Sequence, residues 1–343
     1  MPIDHPHVQP PDASATLEVA RGVHWLRMPL PFALDHINLW LIEDGDGFTA
    51  VDTGIAMDAV KAAWKSALAG RHLNRQIVTH FHPDHLGLAA WLEAETGAPL
   101  SMTQGEYLTA QAIAAGIPPF DVASMVQMFR RHGLDAERSN ALEARGNAYR
   151  RGVPAIPTTF EPLFEGDRLK IGIHEWQVIV GHGHAPEHAS LYCAELNLLI
   201  SGDMLLPRIS TNVSCYAAAP RLDTLKRYLD SLDRLATLPE DTLVLPSHGL
   251  PFRGLSDRVA ELHAHHASRC ADLVTACAQC AHSAGELLEV LFGRPITDPH
   301  QTLFAMGEAI AHLNHLECQG RLLRHDDDGI IRYTTNPTEE RET

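Results

Sequence analysis

Between Gln76 and Gly97 the chain runs from a short apolar strand pattern, through His80-Phe81-His82-Pro83-Asp84-His85, into the helical pattern LGLAAWLEAE, which Gly97 and Pro99 stop. A strand that passes through one loop into a helix needs a sheet beside it and a helical layer above it, which is the α/β plan. The same rhythm recurs on either side. GVHWLRMPL and INLWLIEDGDGFTAVDTG read as strands between Leu17 and Gly54, folded about Asp44-Gly45-Asp46-Gly47, and a helix spans about Met57 to Ala69. Helical segments interrupt the alternation at about 104–158, an insertion. Strand patterns return in DRLKIGIHEWQVIVGHGH, ASLYCAELNLLISGD and TLVLPSHG, with a helix at RLDTLKRYLDSLDRLATL. Residues 1–16 are expected to be a disordered tail, and a first domain to cover 17–254.

Residues 255–343 form a second domain of a different kind. Ser256 is expected to cap a long helix, Ser283-Ala284-Gly285-Glu286 has capping-box spacing for a second, and Gly320 closes a third. RLLRHDDDGIIRYTT then reads as a hairpin turning at Asp328-Gly329, so the order is that of a winged-helix-like module. The histidines of ELHAHHAS are read as a solvated helix face. Cys277 and Cys280 form a C-x-x-C inside an Ala-rich helical pattern and are read as buried small apolar residues. The N-terminus lacks a charged-then-apolar leader, and no apolar run reaches the roughly 18–20 residues of a membrane helix, so a cytoplasmic location without membrane contact is expected. A formal charge of −16 argues against nucleic acid as a partner.

Along an extended segment alternate side chains share a side, so His80 and His82 project together, and Pro83 ends any ladder before Asp84 and His85 turn toward a neighbouring point. Imidazole and carboxylate suit a borderline-soft divalent cation, whereas Mg²⁺ or Ca²⁺ would favour oxygen ligands. Further candidates stand at strand ends, where α/β folds place their chemistry: His184, with His182 and His188 close by, then Asp203 and His248.

These segments resemble the metallo-β-lactamase superfamily: H-x-H-x-D-H, a later His, an Asp after a strand and a final His, all in order, together with an early "DTG" turn at Asp52-Thr53-Gly54. The resemblance covers about Leu17 to Gly254 and implies a four-layer αβ/βα sandwich. It implies that His80, His82 and His184 hold one metal, that Asp84, His85 and His248 hold a second, and that Asp203 bridges. Aligning VIVGHGH on the family's strand-then-PGH pattern selects His184 over its neighbours. Asp52 is implied to hydrogen-bond a ligand histidine. Two divalent ions are implied, Zn²⁺ first, with Mn²⁺ or Fe²⁺ as alternatives; a metal-bridging hydroxide would attack the substrate while Asp84 orients it and passes its proton on.

Similar superfamily members cleave thioesters, lactones, β-lactams, phosphoesters and RNA. Met204, Leu205 and Leu206 follow Asp203 where quorum-quenching lactonases carry a Tyr, which disfavours a lactonase. A ribonuclease branch has a similar helical tail, but residues 256–343 hold 7 Arg against 14 Asp and Glu, a net of −7. The insertion carries Arg130, Arg131, Arg138, Arg145, Arg150 and Arg151, which with Arg208 are candidates to grip an anionic substrate arm. The leading expectation is therefore a hydrolase of a small acyl thioester or ester, with a lactonase or phosphodiesterase as alternatives. An iron-dependent oxygenase is disfavoured because His82 stands where flavodiiron proteins have Glu; a non-catalytic binding protein is the remaining class. A homodimer through the C-terminal module is the expected assembly, if there is one.

Overall fold

The computed structural model describes residues 2–12 and 15–337. The first sheet has seven strands in chain order: β1 (Thr16–Ala20), β2 (Val23–Pro29), β3 (His36–Asp44), β4 (Gly47–Val51), β5 (His72–Ile77), β6 (Leu100–Thr103) and β7 (Glu161–Leu163). The second has five, ordered β12-β11-β10-β9-β8, with β8 (Arg168–Ile171), β9 (His174–Gly181), β10 (His188–Cys193), β11 (Leu198–Gly202) and β12 (Leu243–Pro246).

Strand alternation assigns the two faces of the first sheet. Trp25, Trp40 and Ile42 point to one side, where they meet Trp176, Val178, Leu191 and Ile200 of the second sheet; Trp25 and Trp40 stack with centroids 6.0 Å apart. Leu26, Met28, Leu39 and Leu41 point to the other side and pack with Val60 and Trp64 of helix α1 (Asp58–Leu68). Each such side chain, once fully buried, contributes about 1.5–3 kcal/mol, enough to fix which face is inside. Short helix α2 (Pro83–Leu86) carries part of the histidine motif, and α3 (Ala89–Thr96) adds Leu92 to the outer core. The expected hairpin forms, with Gly45 at φ 66° in its turn.

The insertion supplies α4 (Gln104–Ala115), α5 (Val122–Arg131), α6 (Ala136–Arg145) and α7 (Tyr149–Gly152); α8 (Thr224–Leu235) precedes β12. Beyond β12 come α9 (Leu255–Cys277), α10 (Leu288–Phe292), α11 (Pro299–Cys318) and a hairpin of β13 (Leu322–Asp327) and β14 (Ile330–Thr335). The order of three helices and a hairpin matches the sequence reading, and Asp328 and Gly329 both take positive φ in the turn. The chain divides into two compact units, and not sequentially. One comprises residues 1–114, 148–211 and 231–259, the other 115–147, 212–230 and 260–343.

Several expectations change. The tail places Asp4 in an antiparallel bridge with Arg253, and His5 Nδ1 lies 3.0 Å from the Pro251 carbonyl. Helix α9 begins at Leu255, so Ser256 lies inside its first turn and is no cap. The capping-box bonds do form, Ser283 N–H to Glu286 Oε2 at 2.8 Å and Glu286 N–H back to Ser283 Oγ at 3.4 Å, but α10 starts later. Within ELHAHHAS, His266 is buried rather than solvated, because the helical period places it with Leu262 and Cys270. Cys277 is buried but Cys280 is exposed, and all six cysteines are free thiols. α11 is buried on every side from Ala305 to Leu316, the behaviour of a helix at the centre of its unit. Among the described residues no helix is long and apolar enough to cross a membrane.

Candidate metal centre

The first unit gathers all seven sequence-chosen side chains at one edge. Their donor atoms fall into two groups, His80, His82, His184 and Asp203 in one and Asp84, His85 and His248 in the other; atoms within each lie no more than 4.8 Å apart. His80 Nε2 approaches His82 Nδ1 at 2.8 Å and His184 Nε2 at 3.1 Å. Asp203 faces both groups: Oδ2 is 3.5 Å from His184 Nε2, while Oδ1 is 3.6 Å from His85 Nε2 and 3.5 Å from His248 Nε2. Asp84 Oδ2 lies 3.6 Å from His85 Nε2 and 3.4 Å from His248 Nε2. Of the alternatives to His184, His182 bonds the Pro186 carbonyl through Nδ1, and His188 accepts the Asp203 N–H on Nε2 at 3.1 Å.

The opposite edges of the rings set which nitrogen faces inward. Asp52 leaves β4 with φ 65°, in the left-handed region, and its Oδ2 accepts from His85 Nδ1 at 2.8 Å. Its Oδ1 takes the N–H of Thr79 at 2.8 Å and the Thr79 hydroxyl at 2.9 Å. Having given its proton to Asp52, that hydroxyl accepts from His80 Nδ1 at 3.0 Å. His248 Nδ1 donates to the carbonyl of His36 at 2.8 Å. In each case Nε2 is the nitrogen left facing the centre, free to bind a cation once its proton is displaced.

Electrostatics divides the rings. Burial, reinforced by His85 and the other neighbouring imidazoles, holds His80 well below the usual histidine range; burial and then His184 push His82 down to about 3. Burial also opposes charge on His85 and His248, but Asp52, Asp84 and Asp203 outweigh it on His85, raising it well above the usual value. On His248, Asp203 and Asp84 do the same, to about 10. Against its burial, His85 and His248 lower Asp84 to about 2. His85 Nε2 and Asp203 Oδ1 are buried and have no hydrogen-bond partner. Orphaned donor atoms converging from imidazoles and carboxylates fit a divalent cation, and the nitrogen-rich set fits Zn²⁺, Mn²⁺ or Fe²⁺ better than Ca²⁺.

Sequence reasoning did not assign several supporting residues. His188 anchors the Asp203 peptide, and Gly202, at φ 54°, has no room for a side chain: its Cβ would lie 2.3 Å from His188 Nε2. Buried Asn38 donates to the carbonyls of Pro246 and Gly249, at 2.9 and 3.0 Å, bracketing His248, while His36 Nε2 accepts the Gly249 N–H. Their only signal is a polar side chain inside an apolar strand. Arg208 is exposed on the loop after β11 and is not placed against the donor atoms. Arg130 pairs with Glu143, Arg131 with Asp326 and Arg138 with Asp135, and Arg145 bonds His300, so four of the six insertion arginines are engaged locally. Arg150, Arg151 and Arg208 have no ion-pair partner among the described residues.

A family model of the metallo-beta-lactamase superfamily matches residues 33–248, and one for the metallo-beta-lactamase-like C-terminal domain matches residues 270–336. A crystal structure of a beta-lactamase domain protein from Burkholderia ambifaria superposes with a TM-score of 0.90 at 45% identity, covering 97% of this chain and 98% of that one. "Probable metallo-hydrolase YqjP" of Bacillus subtilis is 24% identical over 90% of this chain and 97% of its own length. The hydroxyacylglutathione hydrolase of Rhodobacter capsulatus is 27% identical over 64% of each chain.

Proposed function

Because the chain belongs to the metallo-beta-lactamase superfamily, we propose that this metallo-hydrolase is dinuclear and acts on an acyl thioester or ester. The observation that carries the reading is the division of the donor atoms into two groups with Asp203 facing both. Two divalent ions at these ligands would lower the pKa of a shared water and polarise the scissile carbonyl. Asp84, which His85 and His248 hold low and whose side chain is 19% exposed against 11% for Asp203, would be the carboxylate to accept the water's proton and return it to the leaving thiolate or alkoxide. Asp52 and the His36 carbonyl keep His85 and His248 in the orientation that presents Nε2. Arg150, Arg151 and Arg208 are the cations left to meet an anionic substrate arm, and the similarity to a hydroxyacylglutathione hydrolase favours a thioester.

Zn²⁺-loaded protein assayed against a chromogenic thioester, a lactone and a phosphodiester is expected to turn over the thioester fastest. Preference for the lactone or the phosphodiester would replace the substrate class, and turnover of none would remove the enzymatic reading.

A further inference from the structure

Phe81 stands between His80 and His82, outside any strand, so both polar groups of its peptide need partners other than a ladder. Its N–H donates to Glu106 Oε2 at 2.9 Å, and its carbonyl accepts from the Tyr149 hydroxyl at 2.7 Å. The other oxygen of Glu106 accepts the N–H of Glu187 at 2.6 Å, three residues past His184. Thr103 Oγ1 donates to the Glu187 carbonyl and the Gly105 N–H to the Glu187 carboxylate, each at 2.7 Å. At the same corner α7 packs on α2. A Cβ on Gly152 would lie 2.6 Å from Pro83 Cβ, one on Gly87 would lie 2.5 Å from the Gly152 carbonyl oxygen, and that oxygen accepts the Ala56 N–H at 3.1 Å.

One buried carboxylate thus ties the loop bearing His80 and His82 to the loop bearing His184, and it bonds no residue of the Asp84, His85 and His248 group. That second group has its own supports, Asp52 on His85 and His36 on His248. Asp52 reaches His80 only through Thr79.

We propose that the two halves of the metal centre are supported separately, and that Glu106, assisted by Tyr149, is the positioning residue for the three-histidine half alone. The first turn of the helical insertion, besides whatever it does for substrate, is part of that half, whereas α7 also packs on α2, which carries Asp84 and His85. The inference rests on the dinuclear reading above. Glu106→Gln keeps the size of the side chain but turns one acceptor into a donor facing a peptide N–H, so one of the two loops loses its anchor.

The test is metal titration of the full chain, stripped with a chelator and reloaded with Zn²⁺, read by calorimetry and by elemental analysis after gel filtration. The unaltered protein should take two ions. Glu106→Gln should keep one at its original affinity and bind the other about 10–100-fold more weakly, the usual cost of losing a residue that orients a ligand. In a His248→Ala background, which leaves the three-histidine half as the complete one, adding Glu106→Gln should weaken the remaining ion by the same factor. No metal uptake by the unaltered protein would sink the dinuclear reading itself. Two ions in the unaltered protein together with unchanged affinities in Glu106→Gln, equal weakening of both ions, or no effect in the His248→Ala background would overturn the separate-support inference. Should Glu106→Gln lose its native circular dichroism, Tyr149→Phe takes its place, since it removes only the Phe81 carbonyl's partner. It is expected to weaken the same single ion by a smaller factor, and no effect, or an equal effect on both, would overturn the inference.

Discussion

Each of the two units buries a cluster of histidines, and the partners given to those rings differ. In the second unit His312 Nδ1 donates to the backbone carbonyl of Glu308 at 2.8 Å, which leaves His312 Nε2 to accept from His266 Nδ1 at 3.1 Å. The Glu308 carboxylate, also buried, bonds Asn212 instead of an imidazole. With no carboxylate on either ring, burial wins: it lowers His312 to about 4, and burial together with His312 lowers His266 to about 2. In the first unit Asp52, Asp84 and Asp203 stand against the rings, and His85 and His248 are raised instead. The first unit sets carboxylates against buried imidazoles and the second sets none, and it is the mixed donor set, not burial of the rings alone, that suits a cation. Histidine number, 22 in this chain, does not separate the two cases.

That contrast can be attacked at graded strength. His82→Ala should lose metal and turnover together, by more than the roughly 100-fold typical of an outer partner, and full activity in a metal-depleted variant would break the contrast outright. Asp52→Asn keeps the shape but weakens the acceptor for His85, and about 10–100-fold lower metal affinity is expected by competition with a chromophoric chelator.

Acid and alkali should act on different clusters in metal-stripped protein. His248 is raised from 6.5 to about 10, so the stability it contributes is fully present below pH 6.5 and is lost as pH rises toward 10; bound metal, which requires neutral rings, should abolish that alkaline loss. His312 is lowered from 6.5 to about 4, so its contribution is lost as pH falls through that window, with or without metal. Melting temperatures of the two forms across pH check both signs, and an identical alkaline limb would contradict the first. The smallest effect on the centre should come from His312→Leu, which strands buried His266 Nδ1 at a cost of about 1–3 kcal/mol in stability while metal content stays unchanged.

The residues of the two donor groups were legible because the motif gathers them locally: period two for His80 and His82, a proline stop, then a helical start for Asp84 and His85. Asp203 and His248 announced themselves as polar residues ending apolar strands. Glu106 gave no such sign, since it works through peptide N–H groups 25 and 81 residues away, and a backbone donor leaves no mark in a sequence. His188 was visible as a neighbour of His184, but its bond to the Asp203 peptide depends on β10 lying beside β11. The α/β layering followed from strand and helix periods. Which helices cluster together did not, because an apolar face does not name its partner; residues 115–147 and 212–230 group with 260–343 for that reason. His266 was misread because three histidines in four positions suggest solvent, whereas the face of α9 it occupies is turned inward.

Asp52 occupies a backbone conformation in which glycine would be more comfortable by about 1–2 kcal/mol, and it is kept for its carboxylate. Exchange for glycine would relieve the backbone but strand the buried Thr79 N–H, the Thr79 hydroxyl and His85 Nδ1, at about 1–3 kcal/mol each, so endurance to heat and hold on cations pull the same way at this position. Any programme to harden this fold has to hold position 52 constant.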